Sequence, residues 1–250
     1  MSLNLKQQKV KEAEGHCLVV AIPGSGKTHT LVARCEHLLK APDTRIAMVT
    51  FTRASSLEMD ERMSSLVSSD GAKRHKAATF HSFAGHQIKR AGLRKRLISP
   101  GEQRNLIIRA HSIARSQRPT QDAFESIEHY SNMLKPEEDG FHGFDVFVEY
   151  RALLDRYGMQ DFSDLSREAV NGMRKKRVKP LNVTHLLVDE YQDSDSIQLA
   201  WIMEHVKAGI WVTVVGDDDQ SIYGWRGGLG YQGFRSFQQK TGAKAYWSSA

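Results

Sequence analysis

Five short apolar runs, "CLVVA" (17–21), "RIAMVT" (45–50), "KAAT" (76–79), "HLLVDE" (185–190) and "WVTVVG" (211–216), are separated by stretches in which apolar and polar residues mix at helical spacing. Each run has strand length, and four are apolar almost throughout. A strand with apolar side chains on both faces is buried on both, as in parallel sheets flanked by helices. Lys27 to Lys40, after a Gly-rich turn, reads as a helix. Ser55 to Val67 reads as another, opened by a capping box of Ser55 with Glu58. Strands and helices alternating in this way predict βαβ units and an α/β fold.

The alternation stops between about Gly85 and Leu181, where helical segments alone are expected, near 101–117, 121–134 and 144–157, punctuated by "LKPEEDGFHG" (134–143). The economical division is a sheet domain over 1–85 and 181–250 with an inserted all-α subdomain over 86–180.

Composition narrows this picture. A chain of 250 residues with 40% apolar content can bury one sizeable core, or a core carrying an insertion. No run of about 18 apolar residues occurs and the N-terminus lacks the apolar stretch of a signal peptide, so a soluble, cytoplasmic protein with no membrane partner is expected. Cys17 and Cys35 are too few for a disulfide framework and read as small core residues. The net charge of +6 is unevenly spread: from Lys73 to Arg118 twelve Lys/Arg face one acid, Glu102, leaving about −5 for the rest. Such a block suits a polyanion, although a solvated basic helix surface has the same composition.

Candidate chemistry begins at "VVAIPGSGKTHT" (19–30), where a strand should meet a helix. Small residues let successive backbone N–H groups wrap phosphates, a Lys reaches the β and γ oxygens, and a Thr hydroxyl joins Mg2+. Gly24, Ser25, Gly26, Lys27 and Thr28 supply these groups; the strict P-loop pattern asks for Gly where Ala21 stands. A P-loop enzyme also needs a carboxylate at another strand end. "HLLVDEYQD" offers Asp189 to hold the metal, with Thr28, and Glu190 to deprotonate the attacking water. The cofactors expected are therefore ATP and Mg2+.

Six segments in order resemble the UvrD/Rep/PcrA family of superfamily 1 DNA helicases: "LNLKQQKV" the Q motif, "AIPGSGKT" motif I, "VTFTRASSLEMDERM" motif Ia, "ATFHSFAGHQIKR" the next DNA-contact motif, "VDEYQDSDSIQ" motif II and "VVGDDDQSIYGWRGG" motif III. The resemblance implies a RecA-like P-loop sheet (1A) with an inserted helical subdomain (1B), and movement 3′ to 5′ on single-stranded DNA driven by ATP hydrolysis. It implies a nucleotide-binding set of Gln7, Pro23, Gly24, Ser25, Gly26, Lys27, Thr28, His29 and Arg34, with Gln7 reading adenine. Catalysis would rest on Lys27, Asp189, Glu190 and Gln220. Thr50, Phe51, Thr52, Arg53, His81, Ser82, Tyr223 and Trp225 would face DNA; Gln220 and Arg226 would couple the two sites. His81 could instead cap the helix that follows it, and Phe51 and Trp225 could be core aromatics.

Ile22, His29, Arg53 and Ala54 depart from the family's usual residues. Family members also continue into a second RecA-like domain, whose arginines close over the γ-phosphate. Such an arginine is typically worth about 10³ to 10⁵ in rate. The expectation is an N-terminal portion of a helicase, monomeric and weak or inactive as an isolated ATPase. Its expected partners are single-stranded DNA, which the isolated chain should bind with marked salt dependence, and duplex junctions, with a C-terminal helicase domain expected in the full-length protein. The alternative is an ATP-binding nucleic-acid or regulatory module without motor activity.

Overall fold

The computed structural model describes residues 3–22, 25–66, 71, 73–217 and 230–248. In chain order the elements begin with α1 (Leu5–Lys11), β1 (Cys17–Ala21), α2 (Lys27–Leu38), β2 (Ile46–Thr50), α3 (Arg53–Leu66), β3 (His75–Thr79) and α4 (Phe80–Arg90). Then come β4 (Arg96–Leu97), α5 (Pro100–Ile113), α6 (Thr120–Ser131), α7 (Phe144–Arg156), β5 (Met159–Gln160) and α8 (Phe162–Arg174). The chain closes with β6 (His185–Val188), α9 (Ser196–Lys207), β7 (Trp211–Gly216), α10 (Gly230–Thr241) and β8 (Lys244–Ser248). Two compact units result: Met1–Phe83 with Pro180–Ser194 and Ile202–Ala250, and Ala84–Lys179 with Asp195–Trp201. The division places Asp195 and the first half of α9, as far as Trp201, with the inserted segment.

The first unit is built on a six-stranded sheet of order β3-β2-β6-β7-β1-β8. Every pairing in it is parallel. This is the RecA-like α/β architecture expected. β1 is buried at every residue, so its apolar character on both faces is used on both. Cys17, Val19, Ala21, Ile46, Met48, Leu187 and Val215 meet Val10, Leu31, Val32, Cys35, Met59 and Met63 from α1, α2 and α3 in one apolar cluster. Each fully buried Leu, Ile or Val contributes roughly 1.5–3 kcal/mol. Both cysteines are free and buried, and burial pushes their thiols up, Cys17 to about 11 and Cys35 to about 12, so they pack as neutral side chains.

Two helix starts differ from the sequence reading. α3 begins at Arg53, and its cap is Thr52, whose Oγ1 accepts the Ser55 N–H at 3.0 Å. Glu58 instead pairs with Arg62 one turn on. α4 begins at Phe80 with the Thr79 hydroxyl accepting the Ser82 N–H at 3.3 Å, so His81 lies inside the first turn and does not cap it. In both cases a threonine at the strand end supplies the acceptor that the first free N–H groups need.

The second unit packs α5, α6 and α7 around Leu106, Ile107, Ala110, Ala123, Ile127, Tyr130, Phe147, Tyr150, Leu153 and Leu154. It is not all-α: β4 and β5 form a two-residue parallel pair. It also holds a fourth helix after Leu154, α8, opened by a reciprocal capping box of Asp161 with Asp164. Asp164 is buried and binds both Arg151 and Arg167. Arg167 also donates to the Ser131 carbonyl at 2.9 Å, satisfying the end of α6. Gln87 of α4 donates to the Lys179 carbonyl at 3.0 Å and accepts the Trp201 indole N–H at 2.7 Å. Among the described residues no helix is long and apolar enough to cross a membrane.

Candidate functional site

All six strands of a parallel sheet point the same way, so their C-terminal ends share one edge. Val20 lies opposite Gly216 in the β1–β7 register, and Val188 opposite Val214 in the β6–β7 register. The residues after Val188 therefore come level with the end of β1, with β7 between them. The phosphate loop and the acidic pair meet across one intervening strand, not on immediate neighbours. Ala21 remains within β1, paired with Ser248, so the position where the strict P-loop pattern asks for glycine belongs here to the strand.

Gly26 does need to be glycine, because it caps α2 with φ +76 and ψ 36, a left-handed conformation that side chains resist. Lys27 and Thr28 follow as the first residues of α2. A helix start of this kind gathers unpaired N–H groups and favours anions. The Lys27 Nζ lies 2.9 Å from Glu190 Oε2, joining the loop after β1 to the residue after β6. Pro23, Gly24, Gln220, Tyr223, Trp225 and Arg226 lie outside the described residues.

Asp189 extends β6 by one bond, its N–H donating to the Val49 carbonyl at 3.0 Å, and is 9% exposed. Burial, reinforced by the neighbouring Glu190 charge, raises its carboxyl to about 6 against the opposing pull of a Glu190 N–H bond and of Lys27. Glu190 turns the chain with φ +47, which ends the strand two residues earlier than its sequence suggests. Asp193 is raised to about 6 by burial and by Glu190. Gln192, which sequence reasoning passed over although it stands in "DEYQD", donates to Glu190 Oε2 at 2.8 Å and accepts the Asp217 N–H at 3.0 Å.

The donor set fits a metal-bound nucleotide. The buried Ser25 Oγ has no hydrogen-bond partner among the described residues. It lies in the same short loop as an ammonium, a Thr hydroxyl and a helix start, near two carboxylates. That chemistry matches a phosphate chain carrying a hard cation. Among the described residues no three His, Cys, Asp or Glu converge on one point. A cation here would rest on one or two carboxylates, a hydroxyl, water and phosphate oxygens, the manner in which Mg2+ binds.

Two residues read as nucleotide ligands have other partners. Gln7, 8% exposed, donates to the Ser25 carbonyl at 2.9 Å and accepts the Asn4 N–H at 2.9 Å, tying α1 to the phosphate loop. Arg34 is 1% exposed and faces the sheet, away from the phosphate loop: it donates to Thr213 Oγ1 at 2.9 Å and to the Val10 carbonyl at 2.6 Å. Its place in the sequence, one turn past Thr30 on the apolar side of α2, carries that signal. His29 is exposed on the first turn of α2.

The described residues read as DNA contacts gather at the ends of β2 and β3, adjacent strands of the sheet. Phe51 is half-buried and meets Phe80 edge to face, with ring centroids 5.6 Å apart. Thr50 is buried and donates its hydroxyl to the Thr52 carbonyl. Thr52, Arg53 and Ser82 are exposed, while His81 is half-buried, its imidazole lowered by burial.

Residues 3–241 match the family described as UvrD/REP helicase N-terminal domain. The chain is 32% identical over 250 residues to the ATP-dependent DNA helicase PcrA of Leuconostoc citreum, aligning 90% of this chain with 33% of that protein. It is 32% identical over 252 residues to DNA helicase II of Escherichia coli strain K12, aligning 90% of this chain with 35% of the relative. The PcrA of Staphylococcus epidermidis RP62A is 30% identical over 95% of this chain and 36% of its own. The chain thus spans about a third of the length of these curated relatives.

Proposed function

Because the chain belongs to the UvrD/REP helicase N-terminal domain family, we propose that it is the ATP- and DNA-binding portion of an ATP-dependent DNA helicase that moves 3′ to 5′ along a single strand. The observation that carries this reading is the Lys27–Glu190 ion pair, which brings two motifs 163 positions apart to one edge of the sheet.

Bound Mg2+–ATP would supply an electrophilic γ-phosphorus whose charge the cation offsets. Lys27 neutralises the phosphate oxygens, Ser25 and the N–H groups of the α2 start hold them, and Thr28 with Asp189 holds the cation. Glu190 takes the proton from the attacking water. Gln7 keeps α1 against the loop and offers its amide to the base. On the far side of the same edge, Phe51 stacks on a base while Thr52, Arg53, His81 and Ser82 border the backbone. Stacking is worth roughly 1–3 kcal/mol and tolerates any base, as a translocating protein requires.

Titration of the chain with a fluorescent ATP analogue in the presence of Mg2+ tests the site. Saturable binding that Lys27→Ala weakens at least 10-fold is expected, the variant retaining the wild-type melting profile. Equal affinity in both proteins would refute the reading.

A further inference from the structure

We propose that Gln192 is a positioning residue that aims the Glu190 carboxylate and fastens it to the end of β7. The inference rests on the reading of Glu190 as the group that accepts the water proton.

Glu190 follows β6 on a left-handed turn, and its side chain is 41% exposed. A flexible carboxylate in that position needs neighbours to fix it. Lys27 provides one, but Lys27 is also the group that must serve the phosphates. The other is Gln192, 3% exposed, in the turn immediately after Glu190. Its amide donates to Glu190 Oε2 at 2.8 Å and accepts the Asp217 N–H at 3.0 Å. The orientation is unambiguous. Reversing the amide would set its oxygen against a carboxylate and its NH2 against an N–H. Only a side chain that donates and accepts at once can span these two groups.

The packing around the amide is equally restrictive. A Cβ at Gly216 would collide with Gln192 Oε1 and lie 2.7 Å from the Phe234 ring, so glycine at the end of β7 leaves the room the amide occupies. Tyr191 beside it packs on Phe234 and Phe237 of α10, with centroids 5.3 and 5.7 Å away. The turn that carries Gln192 is thereby held by both described flanks of the segment 218–229: Asp217 before it and α10 after it. A displacement of the β7 end passes through one amide to the catalytic carboxylate.

The test is steady-state ATP hydrolysis by the full-length protein with single-stranded DNA, comparing wild type, Gln192→Ala, Gln192→Glu, Glu190→Gln and the Glu190→Gln/Gln192→Ala pair. A misplacement of about 1 Å costs on the order of 100-fold. Both Gln192 variants are therefore expected to lose roughly 10- to 100-fold in kcat, with affinity for a fluorescent ATP analogue within about 3-fold of wild type. Gln192→Glu keeps the shape but loses the donor, so wild-type kcat in that variant would refute the role. So would a Gln192→Ala loss that persists undiminished when Glu190 is already Gln, because a residue acting through Glu190 has nothing left to aim. A wild-type protein that hydrolyses no ATP overturns the reading of the site itself, and this inference with it.

Discussion

Asp189 shows how much one side chain can tell about the site. Its carboxyl titrates at about 6 in the fold against an ordinary value of 3.8, with burial the leading cause. Between about pH 4 and pH 6 the folded chain holds a proton that the unfolded chain has released, so stability falls as pH rises through that window. Two units correspond to about 3 kcal/mol at most. Asp189→Asn is therefore expected to match the wild type in stability near pH 4 and to exceed it by roughly 2–3 kcal/mol near pH 8, in thermal melts without nucleotide. An offset that does not change with pH would count against the buried, uncompensated carboxylate. A cation held by Asp189, as proposed, would reverse the balance, because it would bind only the ionised form, and its affinity is expected to drop below about pH 6. The sequence made the place of Asp189 at a strand end legible through the apolar run before it. The roles of Arg34 and Gln192 were not legible, because spacing does not reveal which carbonyl or amide a polar side chain meets.

At the scale of elements, legibility followed the length and uniformity of the signal. β1 and β7 agree with their sequence runs to the residue, since continuous apolar stretches bounded by Gly or polar residues admit one reading. β6 stops short of its run because Glu190 leaves the extended region. α8 escaped notice although Asp161 and Asp164 form its capping box and Leu165, Ala169, Val170 and Met173 line its buried face. β4 and β5 are two residues each, too short for any periodicity to register. The same helix yields a prediction. Asp164 is held between Arg151 and Arg167, with 3% of its side chain exposed. Asp164→Ala leaves both guanidinium groups without their shared carboxylate and is expected to destabilise the second unit by about 3–5 kcal/mol, measured by urea unfolding. A loss below about 1 kcal/mol would show that water or other acceptors replace it.

For the molecule as a whole, the basic block divides unevenly. Lys73, Arg74 and Lys76 fall in the first unit, while Lys89, Arg90, Arg94, Lys95, Arg96, Arg104, Arg109, Arg115 and Arg118 fall in the second. Several are engaged: Lys95 with Asp155, Arg96 with Glu102, Arg118 with Asp122. Arg104 and Arg109 lie over the Phe124 and Tyr157 rings. Arg90 and Arg94 are exposed near the end of α4. If they neutralise phosphates, Arg90→Gln/Arg94→Gln lowers the slope of log K against log salt for single-stranded DNA by about 1.4, or ~0.7 for each contact. An unchanged slope in fluorescence-anisotropy titrations would mean that the block is a solvated helix surface, the other reading its composition allowed.

The amide of Gln87 gives the insertion a property of its own. By bridging to Lys179 it brings the first and last turns of some ninety residues within a single hydrogen bond of each other. A polypeptide excursion whose ends lie together imposes little extra closure entropy on the β3–β6 crossover, since that penalty grows only logarithmically with loop length. Length within the excursion is therefore a minor term in joining β3 to β6.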